Sequence, residues 1–126
     1  MELLDAYLAV PYTHDNPNVR DQRYKRVTEY ATHLIKQGKV IYSPITTTHA
    51  LIKFAPDIGT QWGFWKKFDS VYIPFCRELH ILTMIGWRES VGVTEEKKMF
   101  KALKRPIIYV DPIDFSTLDI GALDNE

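Results

Sequence analysis

The chain has 126 residues, and its sixteen Lys and Arg balance sixteen Asp and Glu, so it lacks the broad positive field with which proteins track a nucleic-acid polymer. A single domain of this length removes roughly two thirds of its unfolded surface from water and supports its own core. No apolar run approaches the roughly 18 residues of a membrane span or resembles a signal peptide, and Cys76 has no partner for an internal disulfide, which points to reducing cytoplasm and a small polar ligand.

Residues 5–10 alternate and then run apolar, as a buried first strand does, and Pro11-Tyr12 stops it. Asn16 and Pro17 read as the cap and first residue of a helix. Along it Val27, Tyr30, Ala31, Leu34 and Ile35 recur at helical spacing until Gly38. A second strand falls at 40–43. Residues 44–61 hold Pro, Gly and three consecutive Thr, which predicts a long, partly irregular excursion over the sheet edge, the usual place of a lid. A second helix at 62–76, bent or ended by Pro74, a third strand at 79–84, a third helix at 93–104 and a last strand at 106–110 follow. The expected fold is α/β: a doubly wound, mostly parallel sheet of four to five strands flanked by helices, flavodoxin- or Rossmann-like, over residues 1–112. Residues 113–126 are expected as a C-terminal arm or tail, since 111–126 shows little periodicity and carries five acidic residues.

The turn Ser90-Val91-Gly92 leaves the third strand and enters the third helix. Unpaired backbone N–H groups and the positive helix end point outward together at such a turn, so a phosphate or sugar oxygen is readily held. Glu96 is expected in the first helical turn, and a carboxylate beside a sugar pocket points to chemistry at an anomeric carbon. On that helix Val93, Glu96, Met99, Phe100 and Leu103 fall at spacings of three and four, so Glu96 sits on the stripe that faces the sheet. Glu95 points elsewhere, toward Lys98. Complementing the helix dipole is an equally good account of Glu96 on periodicity alone.

The second helix repeats the anomaly. Trp62, Trp65, Phe68, Tyr72, Phe75 and Cys76 share one wide arc with Asp69 inside it, while Lys66, Lys67, Ser70 and Arg77 lie opposite. An acid within an aromatic face is costly unless hydrogen-bonded or functional, and a helix-edge Asp accepting a backbone or Tyr hydrogen bond is the plainer alternative. Together the two acids suggest an ionised nucleophile and an acid of raised pKa, as in retaining glycoside cleavage.

The pattern Ser90-x-Gly92-Val93-x-x-Glu96, followed by Lys104-Arg105-Pro106-Ile107, resembles the nucleoside 2-deoxyribosyltransferase superfamily. Tyr7-Leu8-Ala9-Val10-Pro11-Tyr12, Ser43-Pro44-Ile45 with His49, and Gly86-Trp87-x-x-Ser90 are similar to its branch of 2′-deoxynucleoside 5′-monophosphate N-glycosidases and related small bacterial and viral domains. The resemblance implies that Glu96 attacks C1′ of deoxyribose, that Asp69 assists the leaving base, that Ser90 and Gly92 hold the sugar 5′ end, and that Tyr7 lines the pocket. It also implies a homodimer or higher homo-oligomer and no cofactor. An acid in place of Ser90 would repel a phosphate, and Ser does not. Arg20 and Arg23, at the start of the first helix, are candidates for charge-assisted phosphate contacts, or else are solvated arginines. Arg77, Pro11 and Lys97 depart from the family pattern.

His14, His33, His49 and His80 show no metal-ligand spacing, so no metal is expected. His49 reaches the pocket from the long loop on one reading and is an exposed loop histidine on the other. Of the three Trp residues, Trp87 beside the turn is the candidate for stacking a nucleobase. Two rivals accompany the glycosidase or transferase reading: a nucleotide-binding or sensing module without turnover, and an assembly protein that uses the aromatic second helix as its contact.

Overall fold

The computed structural model describes residues 2–120. A five-stranded sheet runs in the order β2-β1-β3-β4-β5, with β1 at Ala6–Ala9, β2 at Ile41–Tyr42, β3 at Leu79–Leu82, β4 at Ile107–Val110 and β5 at Thr117–Leu118. The first four strands are parallel, and β5 returns antiparallel to β4. Four helices flank the sheet: α1 at Pro17–Lys36, α2 at Pro44–Phe54, α3 at Trp62–Tyr72 and α4 at Val91–Ala102. This is a doubly wound, Rossmann-like α/β fold.

Period-two alternation along β1 divides the core. Ala6, Leu8 and Val10 pack with Val27, Tyr30, Ala31 and Leu34 of α1 on one face. Tyr7 and Ala9 pack with Ile73, Val93 and Phe100 on the other. The strand order reverses at β1 and β3, so the helices attached to these neighbours leave on opposite faces and a crevice opens beyond their carboxyl ends.

Local chemistry accounts for the helix ends. The Asn16 side chain accepts from Asn18 N at 2.9 Å, Pro17 opens α1, and Gly38 beyond its end takes φ +84°. α3 stops at Tyr72 and passes into a single 3₁₀ turn, Ile73–Phe75, where Pro74 cannot donate an amide.

Three expectations need revision. The excursion at 44–61 contains an 11-residue helix, α2, opened by Pro44, whose Ile45 packs against the α1 side of the core. The arm folds back: β5 pairs through Tyr109 and Leu118, and Arg26 donates to the Pro112 and Ile113 carbonyls at 2.5 and 2.6 Å. Residues 121–126 of the expected arm lie outside the described residues. The expected aromatic arc is only partly a buried face, for Trp65, Asp69 and Cys76 are buried while Phe68, Tyr72 and Phe75 remain exposed. Among the described residues, no helix is long and apolar enough to cross a membrane.

Candidate active site

A cleft of about 520 Å³ lies at the carboxyl ends of β1 and β3, within the size range of small-molecule sites. The chain after β1 supplies Pro11 and Tyr12, α1 supplies Arg23, α2 supplies Thr48, α3 supplies Trp62 and Asp69, and the turn into α4 supplies Ser90, Gly92 and Glu96. Segments far apart in sequence meet here because the sheet order reverses at this point.

Both acids singled out by helical spacing reach this cleft, and both are almost wholly buried, Glu96 at 5% and Asp69 at 6% exposure. Tyr7, fully buried on β1, donates its hydroxyl to Glu96 Oε2. Burial pushes the Glu96 carboxyl up to about 8; the Tyr7 hydrogen bond opposes this and the nearby Asp69 charge adds to it. Burial alone pushes Asp69 up to about 6. Burial thus raises both carboxyls and Glu96, the more deeply desolvated, the further, so the pair as a whole favours holding a proton, while the Tyr7 hydrogen bond works toward the Glu96 anion. Glu95 faces away, 3.6 Å from Lys98 Nζ.

α4 begins two residues earlier than its apolar spacing indicated. Ser90 is its cap, with the side-chain oxygen accepting from Val93 N at 3.2 Å. Glu96 therefore lies beyond the first turn, and complementing the helix dipole no longer accounts for its position.

At the same end of the cleft Arg23 is buried and donates to Thr13 O at 3.1 Å and Ile85 O at 2.9 Å. These bonds tie the chain after β1 to the chain after β3. Both acceptors are neutral carbonyls, so neither cancels the guanidinium charge at the cleft wall. Gly86 makes room for it: a Cβ there would stand 2.8 Å from Arg23 Nη2, on backbone already at φ +95°.

Other candidates lie outside the cleft lining. Arg20 turns back to the carbonyls of His14 and Asp15. Trp87 packs against Tyr109, with Arg88 and Lys97 over its ring, so it is not placed to stack a base in the cleft. His49 belongs to α2 and is buried; its Nδ1 is 2.6 Å from the Tyr12 hydroxyl and its Nε2 is 2.8 Å from Asp21 Oδ1. It reaches the cleft only through Tyr12. Tyr7 acts from beneath, through Glu96.

Two cleft residues escaped the sequence reading. Trp62, expected on the aromatic arc of the second helix, has its ring 3.6 Å from where a Gly92 Cβ would stand and lines the cleft. Tyr12, expected as the stop of β1 and part of the 7–12 stretch with no site role of its own, also lines the cleft, as a residue just past the carboxyl end of a central strand naturally does. Among the departures from the family pattern, Pro11 lines the cleft, Arg77 is exposed, and Lys97 lies over the Trp87 and Tyr109 rings.

Residues 5–111 match the model of a family described as a domain of unknown function, DUF1937. No curated protein matches the chain.

Proposed function

We propose that this chain, which belongs to the DUF1937 family, cleaves or transfers across the N-glycosidic bond of a 2′-deoxynucleoside 5′-monophosphate or deoxynucleoside through a glutamyl-deoxyribose intermediate. The observation that carries the reading is a pair of buried carboxyl groups from different helices in one cleft, one of them held by a tyrosine hydroxyl. The substrate class comes from the resemblance of residues 7–12 and 90–96 to the deoxyribosyltransferases. Arg23 and the capped start of α4 supply donors for the sugar 5′ end or its phosphate. Trp62 offers a face to the base.

In the working state the single proton of the acid pair sits on Asp69, and the Tyr7 hydrogen bond favours Glu96 as the anion. A Glu96 oxygen attacks C1′, the C1′–N bond breaks, and its electron pair leaves with the base as Asp69 delivers its proton. Asp69, now ionised, takes a proton from water; the resulting hydroxide attacks C1′ and releases Glu96. A second base in place of water gives transfer. The enzyme so proposed works in the cytoplasm, where Cys76 stays reduced. Copies associate through the exposed Phe64, Phe68 and Tyr72 of α3, which light scattering tests.

Incubation with deoxynucleoside monophosphates, followed by chromatography of free base, tests the reaction. Release by the wild type and none by Glu96→Ala is expected; no release, or equal release by both, defeats the proposal. A nucleotide-binding module without turnover is the second reading, favoured by the burial that works against the ionised Glu96 a nucleophile needs. Tight binding in calorimetry with no product identifies it.

A further inference from the structure

A chain of three side chains runs from the protein surface to the cleft wall. Asp21 of α1 is half exposed, and its carboxylate is held below the usual range by Lys53 first, 3.2 Å away, and by His49. His49 stacks on Tyr24 with ring centroids 4.2 Å apart. Burial lowers its tendency to take a second proton, against Asp21, while Lys53 and Arg20 act in the same sense as burial. Tyr12, at the inner end, lines the cleft. The proposed reaction uses none of these three residues.

Their order fixes where the protons are. His49 Nε2 makes no well-aligned hydrogen bond, yet it stands 2.8 Å from an ionised Asp21 oxygen, and an anion that close favours a ring hydrogen on Nε2 over a lone pair there. In a neutral imidazole the other nitrogen, Nδ1, then holds only a lone pair. The Tyr12 hydroxyl, 2.6 Å from Nδ1, must donate to it. With its hydrogen so committed, the Tyr12 oxygen has only lone pairs left.

We propose that the Asp21–His49–Tyr12 chain fixes the Tyr12 oxygen as a hydrogen-bond acceptor in the cleft, and that this oxygen selects ligands presenting an N–H or O–H donor there. The inference rests on the nucleotide reading of the cleft and adds the polarity of one wall. In a nucleotide the donor is either the sugar 3′-hydroxyl or an exocyclic amine of the base. A ligand without it leaves a cleft oxygen unpaired, which is the stronger form of discrimination.

The experiment is calorimetric binding of deoxyadenosine monophosphate, its 2′,3′-dideoxy counterpart and its purine counterpart lacking the amine. Wild type is expected to bind one of the two deletion ligands about three- to tenfold more weakly than the parent, and which one identifies the donor. Tyr12→Phe brings that ratio to about one. Asp21→Asn, which alters only the exposed end of the chain, shrinks it by freeing the His49 tautomer; this variant carries the test if Tyr12→Phe does not fold. Nitrogen-15 NMR of the wild type is expected to show the Nε2–H tautomer of His49. Discrimination that persists in Tyr12→Phe, its absence in the wild type, or an Nδ1–H tautomer overturns the inference while leaving the function reading intact. Failure of all three to bind, with the monophosphates of thymidine, deoxycytidine and deoxyguanosine equally silent, removes both.

Discussion

Replacing Glu96 with Gln removes a titrating group and keeps a carbonyl oxygen for the Tyr7 hydroxyl, so it isolates the effect of the buried carboxyl on folding. In the unfolded chain a glutamic acid ionises near pH 4.3 or so; in the folded protein burial raises this one to about 8. The native state therefore binds this proton more tightly than the unfolded state does. The associated stability is fully present below about pH 4 and is lost as pH rises toward 8. At ~1.4 kcal/mol per pH unit the ceiling is about 5 kcal/mol, and sharing of the proton with Asp69 brings the expected loss to a few kcal/mol. Urea unfolding followed by tryptophan fluorescence at pH 5, 7 and 9 measures it. Wild type should lose stability across that range. Glu96→Gln should be flatter, and more stable than wild type at pH 9. A stability difference between the two proteins that stays constant from pH 5 to 9 refutes the reasoning.

Base release should follow a bell-shaped pH profile with its maximum between about 6 and about 8, because the reaction needs one proton on the Asp69 and Glu96 pair; a rate that keeps rising above pH 9 counts against that assignment. Gly86→Ala places a Cβ 2.8 Å from Arg23 Nη2 at φ +95°, so thermal unfolding should register a loss of ~1–3 kcal/mol, and calorimetry a weaker grip on monophosphates than on free nucleosides. Equal weakening of both ligands would show that Arg23 does not meet the phosphate. Arg26→Ala removes the donors to Pro112 and Ile113 and the cation over the Phe115 ring. It should speed hydrogen exchange of the β4–β5 ladder at Tyr109 and Leu118; exchange unchanged from wild type would mean that the ladder holds without the arginine.

Helical spacing made the two acids legible. Val93, Glu96 and Phe100 repeat at helical intervals that place them on one stripe, and they are the buried residues of α4; the start of α4 at Val91 then separates that reading from the helix-dipole one. Which acid holds the proton was not legible, since it depends on relative burial and on Tyr7, 89 residues away in sequence. α2 escaped notice because Thr46, Thr47 and Thr48 are poor helix formers, and packing of Ile45 on the core overrides that weakness. Arg20 and Arg23 looked alike as neighbours on one helix. The carbonyls of Thr13 and Ile85, brought together by the sheet, separate them. Trp87 follows Gly86, whose positive φ helps turn the chain away from the cleft toward Tyr109.

Both margins of the sheet are strands of only two residues, β2 on one side and β5 on the other. A longer free margin would offer a foreign chain a row of vacant amides and carbonyls on which to crystallise as an added strand. Here the ladder available for such growth ends almost as soon as it starts. The fold thereby offers little template for fibril-like stacking at either margin.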